Sequence, residues 1–279
     1  MSAQLLGKID LDKDRLAADI RALDTVEFSQ VYADFACGRW DICVLRNATG
    51  SSTEQKIRTH DAKALPTPPS KHVPYINELI ERCFRSDGIR YVRIMRMGPN
   101  SCLIPHQDYL ELNDEYVRIH VPIETNDRCW NTEDDKIYQM RMGEIWFLDA
   151  TRIHSAGCFG ETDRLHLMLD FQPGTRLSEV VTDQVQPAEL RPSDPRPEMP
   201  RKIAEAIDGL GMVLSKENFR DVVAILSKFH FHYRSHGKDV YRWLSSLCEK
   251  SGQADMIQYA KEIEKYYTLS RQPDTVPRI

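Results

Sequence analysis

Between Ile89 and Phe171, apolar and polar positions alternate in one short segment after another, the period-2 pattern of strands with two different faces. Ile89 to Met97 places Arg93, Met95 and Met97 on one face and Arg90, Val92 and Ile94 on the other. Tyr116 to Pro122 separates Arg118 and His120 from Val117, Ile119 and Val121, and Arg164 to Phe171 aligns Arg164, His166, Met168 and Asp170. Cys102 to His106 and Gly143 to Ala150 read as further strands, and no helical period persists through this region. Short strands with inward polar side chains predict a mainly β fold, a jelly-roll or double-stranded β-helix core of the cupin-like kind.

The flanking regions follow other patterns. Asp12 to Leu23 predicts an amphipathic helix, residues 27 to 47 carry strand-like runs, and the Ser-, Thr- and Pro-rich residues 50 to 74 predict a loop. Tyr75 to Arg85 sets Ile76, Leu79, Ile80 and Cys83 at helical spacing. Between Thr182 and Pro200, prolines 187, 192, 195 and 197 rule out a regular helix and predict an extended connector. Three helical stripes follow: Phe219, Val222, Val223, Leu226 and Phe229; Val240, Trp243, Leu244 and Leu247; Ile257, Ala260, Ile263 and Tyr267. The chain therefore divides into a β core (1–180), a Pro-rich connector (181–200) and an α-helical C-terminal domain (201–279). The helices could cover the barrel mouth, brace the barrel or form a homodimer interface; plain packing is the expectation. Alternate residues on a helix do not face each other, so Phe229-His230-Phe231-His232-Tyr233 reads as helix packing with solvated histidines, not a second metal site.

Composition narrows the function classes. A net charge of -5 with no basic block argues against nucleic acid as a partner. The N-terminus has no apolar segment behind a basic start, and nowhere do eighteen apolar residues run together, which speaks against secretion and membrane insertion. The seven cysteines are odd in number, scattered and lack a C-x-x-C, fitting reduced thiols in a cytoplasmic protein.

The candidate chemistry lies in Pro105-His106-Gln107-Asp108-Tyr109. In a strand, residues i and i+2 share a face, so His106 and Asp108 can grip one metal ion. With His154, they form the two-histidine, one-carboxylate set that leaves positions open on Fe(II) for a cosubstrate and O2. The triplet alone is a weak signal; a surface pair, a loop histidine and a structural arginine would be the plainer account of these residues. The joint pattern favours the metal site, because Arg164 stands ten residues beyond His154, where 2-oxoglutarate oxygenases commonly keep the cation for the cosubstrate's far carboxylate. A planar guanidinium suits that task by donating two parallel hydrogen bonds. Arg118 and His120, if inward, would be costly to bury without anions, which favours carboxylate binding and makes His120 a further cosubstrate candidate.

Segments spread nearly end to end, among them DFACGRW (34–40), PYINELI (74–80), IRYVRI (89–94), IPHQDYLEL (104–112), GEIWFLDA (143–150), HSAGCF (154–159), RLHLMLDF (164–171) and NFRDVVAILSKFHFHY (218–233), resemble the bacterial free L-proline hydroxylases, especially the cis-4 type. The resemblance implies Fe(II)- and 2-oxoglutarate-dependent hydroxylation of a free cyclic imino acid, with L-proline to cis-4-hydroxy-L-proline as the expected reaction and succinate and CO2 as coproducts. It implies His106, Asp108 and His154 as iron ligands, Arg164 as the 2-oxoglutarate arginine, and Arg93 and Arg118 near the substrate carboxylate. The chain departs from the family at Met95-Arg96-Met97-Gly98-Pro99-Asn100-Ser101-Cys102, where I-R-V-S-E-N-A-C is expected, and at Val121-Pro122-Ile123. Bulkier, adaptable Met95 and Met97 would reshape the pocket, so L-pipecolic acid or another regiochemistry is the alternative. Two other classes remain open at this point: an aspartyl/asparaginyl-type protein hydroxylase, which needs an open groove for a peptide, and an iron-free binding protein that has kept the barrel.

Overall fold

The computed structural model describes residues 2–112, 114–191 and 194–277. Twelve strands are found among them: β1 (Gln4–Lys8), β2 (Ala36–Cys37), β3 (Trp40–Asn47), β4 (Leu65–Pro66), β5 (Ile89–Met97), β6 (Ser101–Leu103), β7 (Val117–Glu124), β8 (Cys129–Glu133), β9 (Lys136–Tyr138), β10 (Glu144–Leu148), β11 (His154–Cys158) and β12 (Arg164–Phe171). The α-helices are α1 (Lys13–Ala22), α2 (Pro74–Cys83), α3 (Arg201–Gly209), α4 (Phe219–His232), α5 (Asp239–Ser251) and α6 (Ala254–Thr268). The strands form a larger sheet in the order β1-β10-β7-β12-β5-β3-β4 and a smaller one in the order β2-β6-β11-β8-β9, with every named pair antiparallel. This is the expected mainly β, double-stranded β-helix core.

The alternation read from the sequence sorts side chains as expected. Leu165, Leu167, Leu169 and Phe171 of β12 pack with Ile119 and Val121 of β7 and Val92 and Ile94 of β5 against Leu16 of α1 and Ile76, Leu79 and Ile80 of α2. The opposite face of the same strands turns Arg93, Met95, Arg118, His120, Arg164, His166 and Met168 into the cavity between the sheets. Met97 departs from this expectation: it is buried in the apolar cluster and does not line the cavity. Local signals explain both N-terminal helices. Asp12 caps α1 by accepting from the N–H groups of Asp14 and Arg15, and Pro74 occupies the first turn of α2, where its missing N–H costs nothing.

The C-terminal helices pack onto the smaller sheet. Phe219, Leu226 and Phe231 of α4, Tyr241 and Leu244 of α5 and Ile263 and Tyr267 of α6 share one apolar cluster with Cys37, Cys102, Cys129, Ala156 and Cys158. Close approach needs Gly157, whose added Cβ would lie 2.6 Å from the Phe159 ring and 3.3 Å from that of Phe231. No helix crosses residues 182–191 or 194–200; prolines 187, 195 and 197 are among the described residues, and Pro192 lies outside them. This Pro-rich segment is anchored by buried Arg196, which donates to the carbonyls of His230 (2.9 Å) and Asp135 (2.6 Å) and to the Asp194 carboxylate.

Two expectations need correction. His230 is fully buried, not solvated, with Nδ1 3.0 Å from the Ser235 hydroxyl; of the pair, only His232 is exposed. The reason is periodicity: His230 falls four residues after Leu226, on the packed stripe of α4. The second is the loop expected over residues 50–74, which holds the short strand β4. Helix α3 was not singled out although Ile203, Ile207 and Leu210 stand at helical spacing and pack with the C-terminal cluster, and strands β1, β8 and β9 have too few apolar positions to impose a period.

Candidate active site

His106 and His154 are drawn together by the backbone. They form an antiparallel bridge in which each N–H donates to the other's carbonyl, at 2.9 and 2.8 Å, so the two side chains emerge side by side from one face. Their ring centroids are 4.4 Å apart. His106 Nδ1 lies 2.7 Å from the Ile104 carbonyl and His154 Nδ1 lies 3.0 Å from that of Arg152. Those acceptors fix a proton on each Nδ1 and leave both Nε2 lone pairs facing inward. Asp108 is set by its N–H, which donates to the Ala150 carbonyl at 2.8 Å. Its Oδ1 lies 3.5 Å from His106 Nε2 and its Oδ2 lies 3.6 Å from His154 Nε2. One donor atom from each of the three falls within 4.8 Å of the others. Two imidazoles and a carboxylate at this spacing suit a divalent cation of the iron type. Burial pushes the His106 imidazole down to about 3, helped by His154, so it stays an unprotonated donor. Burial alone would push the Asp108 carboxyl up, but Arg118 and the two histidines hold it well below the usual range.

Beyond the triad, the cavity holds two cationic subsites. In the first, Arg164 is 1 % exposed, with Nη2 donating to Asn131 Oδ1 at 3.0 Å and lying 3.0 Å from His166 Nδ1. Among the described residues it pairs with no carboxylate, and its Nε has no partner. Burial pushes the guanidinium down to about 10, against a partial restoring influence of the Cys129 and Cys158 thiols. Both ring nitrogens of His120 and the Nε2 of His166 are also buried without partners, and the two rings stand 5.8 Å apart. Buried polar groups are rarely left so, and a carboxylate-bearing ligand would satisfy this set.

The second subsite is built on Asp170, which is wholly buried. Its Oδ2 accepts from Arg93 Nη2 at 2.6 Å, and its Oδ1 accepts from Arg118 Nε at 2.8 Å and from the Tyr109 hydroxyl at 3.2 Å. Arg118 reaches Asp108 with its Nη1, and its guanidinium lies 5.0 Å from the centre of the Tyr109 ring. Tyr109 adopts a left-handed φ of 64°, a costly conformation for an aromatic residue and one met where a side chain must be aimed. Burial would raise the Asp170 carboxyl, yet Arg118 and Arg93 hold it below its ordinary value.

The structure thus brings all seven sequence-selected residues, His106, Asp108, His154, Arg164, His120, Arg93 and Arg118, to the lining of one cavity. Sequence reasoning did not assign roles to Asp170, Tyr109, Asn131, His166, Glu111 or Arg271. Strand alternation placed Asp170 and His166 beside Arg164 and could have found them. Arg271 gave no signal, since only the folded chain brings the C-terminus beside the Asp108 loop.

A jelly-roll barrel with a His-Asp-His centre and a buried, acid-free arginine defines the class of metal-dependent oxygenases, and residues 10–173 match the Aspartyl/Asparaginyl beta-hydroxylase family. Residues 178–275 match a second family, L-proline 3-hydroxylase, C-terminal. The chain is 44% identical over 273 residues to the L-proline cis-4-hydroxylase of Rhizobium meliloti (strain 1021), covering 98% of each. It is 35% identical over 277 residues to L-proline cis-3-hydroxylase 1 of a Streptomyces species, covering 95% of this chain and 94% of that one. It belongs to the family of bacterial L-proline hydroxylases.

Proposed function

We propose that this chain is an Fe(II)- and 2-oxoglutarate-dependent hydroxylase of a free cyclic imino acid, converting L-proline to cis-4-hydroxy-L-proline. The observation that carries the reading is the convergence on one cavity of a preformed His-Asp-His triad, an acid-free buried arginine and a second arginine pair. The cis-4 assignment is supported by the identity to the Rhizobium relative, which exceeds that to the cis-3 enzyme.

His106 and His154 would hold the metal through Nε2 and Asp108 through a carboxylate oxygen, with both imidazole tautomers already fixed by backbone carbonyls. When bound, iron with 2-oxoglutarate and O2 supplies the oxidising power that replaces an unactivated ring hydrogen with hydroxyl, releasing succinate and CO2. Arg164 would fork onto the far carboxylate of 2-oxoglutarate, with His120 as a further donor in the same subsite. Arg93 and Arg118, aligned by Asp170, would take the imino acid's carboxylate. So reactive an oxidant leaves selectivity to positioning, which is what a pair of fixed guanidiniums provides. The cavity lining includes Ile57, Leu112 and Arg271, and a paired guanidinium subsite suits the free carboxylate of a small amino acid better than a peptide bond. Met95 and Met168 form an adaptable part of the wall, and this favours pipecolic acid as the second substrate to try.

Residues 201–279 are proposed as a brace for the core rather than a separate catalytic unit. All seven cysteines are free and buried, in support of a reducing cytoplasmic setting, and no described helix is long and apolar enough to cross a membrane. The test is anaerobic reconstitution with Fe(II), then 2-oxoglutarate and O2 with proline or pipecolic acid separately, following succinate and identifying the product by NMR. One hydroxylated isomer formed in step with succinate is expected; iron binding without substrate-stimulated succinate would refute the imino-acid reading.

A further inference from the structure

A free imino acid carries a cationic ring nitrogen as well as a carboxylate, and the cavity must answer both charges. Among the described residues, three carboxylates stand close enough to consider. Asp108 belongs to the triad. Asp170 is wholly buried, and both its oxygens are engaged by Arg93, Arg118 and Tyr109. The third is Glu111, three residues beyond Asp108, which lines the cavity and also the adjoining cleft towards the C-terminus.

The way Glu111 is held is unusual. Arg271, from the segment after α6, brings Nε and Nη2 to the same oxygen, Oε2, at 2.8 and 2.7 Å. A guanidinium commonly forks across both oxygens of a carboxylate. Here it does not: Nη2 also donates to the Gln107 carbonyl and Nη1 to that of Tyr266, while the cation lies 4.9 Å from the centre of the Phe35 ring. Arg271 is thereby fixed, and the Glu111 side chain is 23% exposed with Oε1 making no hydrogen bond among the described residues. Phe35, Tyr32 and Leu112 supply apolar wall beside it.

Resting on the function proposed above, we propose that Glu111 is the specificity residue for the ring nitrogen: Oε1 accepts a charge-assisted hydrogen bond from the substrate's secondary ammonium while Arg271 holds Oε2. The enzyme then reads its substrate as a zwitterion, with the carboxylate at Arg93 and Arg118 and the ammonium at Glu111. Charge-assisted hydrogen bonds of this kind set selectivity against analogues lacking the donor, because the acceptor is left without a partner.

The experiment compares L-proline with cyclopentanecarboxylate, the same ring and carboxylate without the nitrogen, in wild type and in Glu111→Gln. Binding to the Fe(II)- and 2-oxoglutarate-loaded protein without O2 is read by calorimetry, and KM and kcat are read under air. Wild type should prefer proline, and Glu111→Gln should raise the dissociation constant and KM for proline about tenfold or more while changing those for the carbocycle less than twofold. An equal change for both ligands, or none for proline, overturns the assignment. Arg271→Lys controls for the holding group: it should weaken proline binding more than carbocycle binding, whereas a fall in metal content alone would mark Arg271 and Glu111 as a structural clamp and refute the proposal. A wild type that binds neither ligand while retaining iron and 2-oxoglutarate would overturn the imino-acid reading itself, an outcome distinct from the others.

Discussion

Asp170→Asn isolates the anion that holds Arg93 and Arg118 together. The side chain keeps its shape, but the charge opposite two buried guanidiniums is lost, and one amide N–H₂ must face an arginine donor. Arg93 and Arg118 are 2 and 5 % exposed and Asp170 lies wholly buried between them, so water in the cavity compensates the lost charge poorly, and Arg118 keeps Asp108 alone. Breaking a buried ion pair by removing one member costs about 3–5 kcal/mol. At roughly 2–3 °C per kcal/mol for a chain of this size, the melting temperature should fall by about 6–15 °C. The assay is thermal unfolding of the substrate-free protein at pH 7, repeated at high salt. A buried pair is poorly screened, so the gap between wild type and variant should persist there. The pH dependence has a defined sign: Asp170 is held below its ordinary value, so its contribution is present above about pH 4, the unfolded value, and is lost as pH falls through the folded one. A melting temperature within 2 °C of wild type at pH 7 would refute the account of Asp170 as the counter-ion of both arginines.

His106→Ala should abolish iron-dependent turnover and lower iron retention while leaving the far-ultraviolet circular dichroism spectrum unchanged; undiminished iron affinity would remove His106 from the ligand set. Arg164→Met should raise the KM for 2-oxoglutarate by about ten- to a hundredfold, the worth of a charge-assisted hydrogen bond, with little effect on iron content. His230 is held down to about 3 by burial and by Arg196, so the folded state needs it neutral while the unfolded chain protonates it below about 6.5. Stability tied to it is complete above that pH and shrinks on acidification, by about 2 kcal/mol at pH 5; His230→Gln should flatten the urea midpoint between pH 6.5 and 5 relative to wild type. Removing residues 201–279 would uncover the apolar face around Cys102, Ala156 and Cys158, and the truncated core should be recovered only as aggregate; a soluble, iron-binding product would show that the helices are dispensable.

Much of the site could be read in the chain because a strand writes its two faces in alternate letters. Arg118 and His120 stand apart from Ile119 and Val121 in sequence, and the structure puts the first pair in the cavity and the second in the core. The same alternation ran too far at Met97, which is wholly buried in the apolar cluster and does not line the cavity. Long-range contacts were not legible. Nothing local announces that Arg271 would brace Gln107 and Glu111, or that the Tyr241 hydroxyl would donate to the Pro105 carbonyl, because such pairs arise only when α5 and α6 settle on the small sheet. His230 was misjudged for a related reason: a polar residue on an apolar stripe goes wherever the stripe goes, and its hydroxyl partner at Ser235 was not visible as one.

The bridge between His106 and His154 bears on how the metal arrives. Because backbone hydrogen bonds pair these two residues beside the β6–β11 ladder, the backbone itself sets the donor atoms next to one another. Metal loading should therefore be a docking step on a finished barrel, rapid and reversible by chelators, and the apoprotein should survive storage and refill without passing through a denatured state.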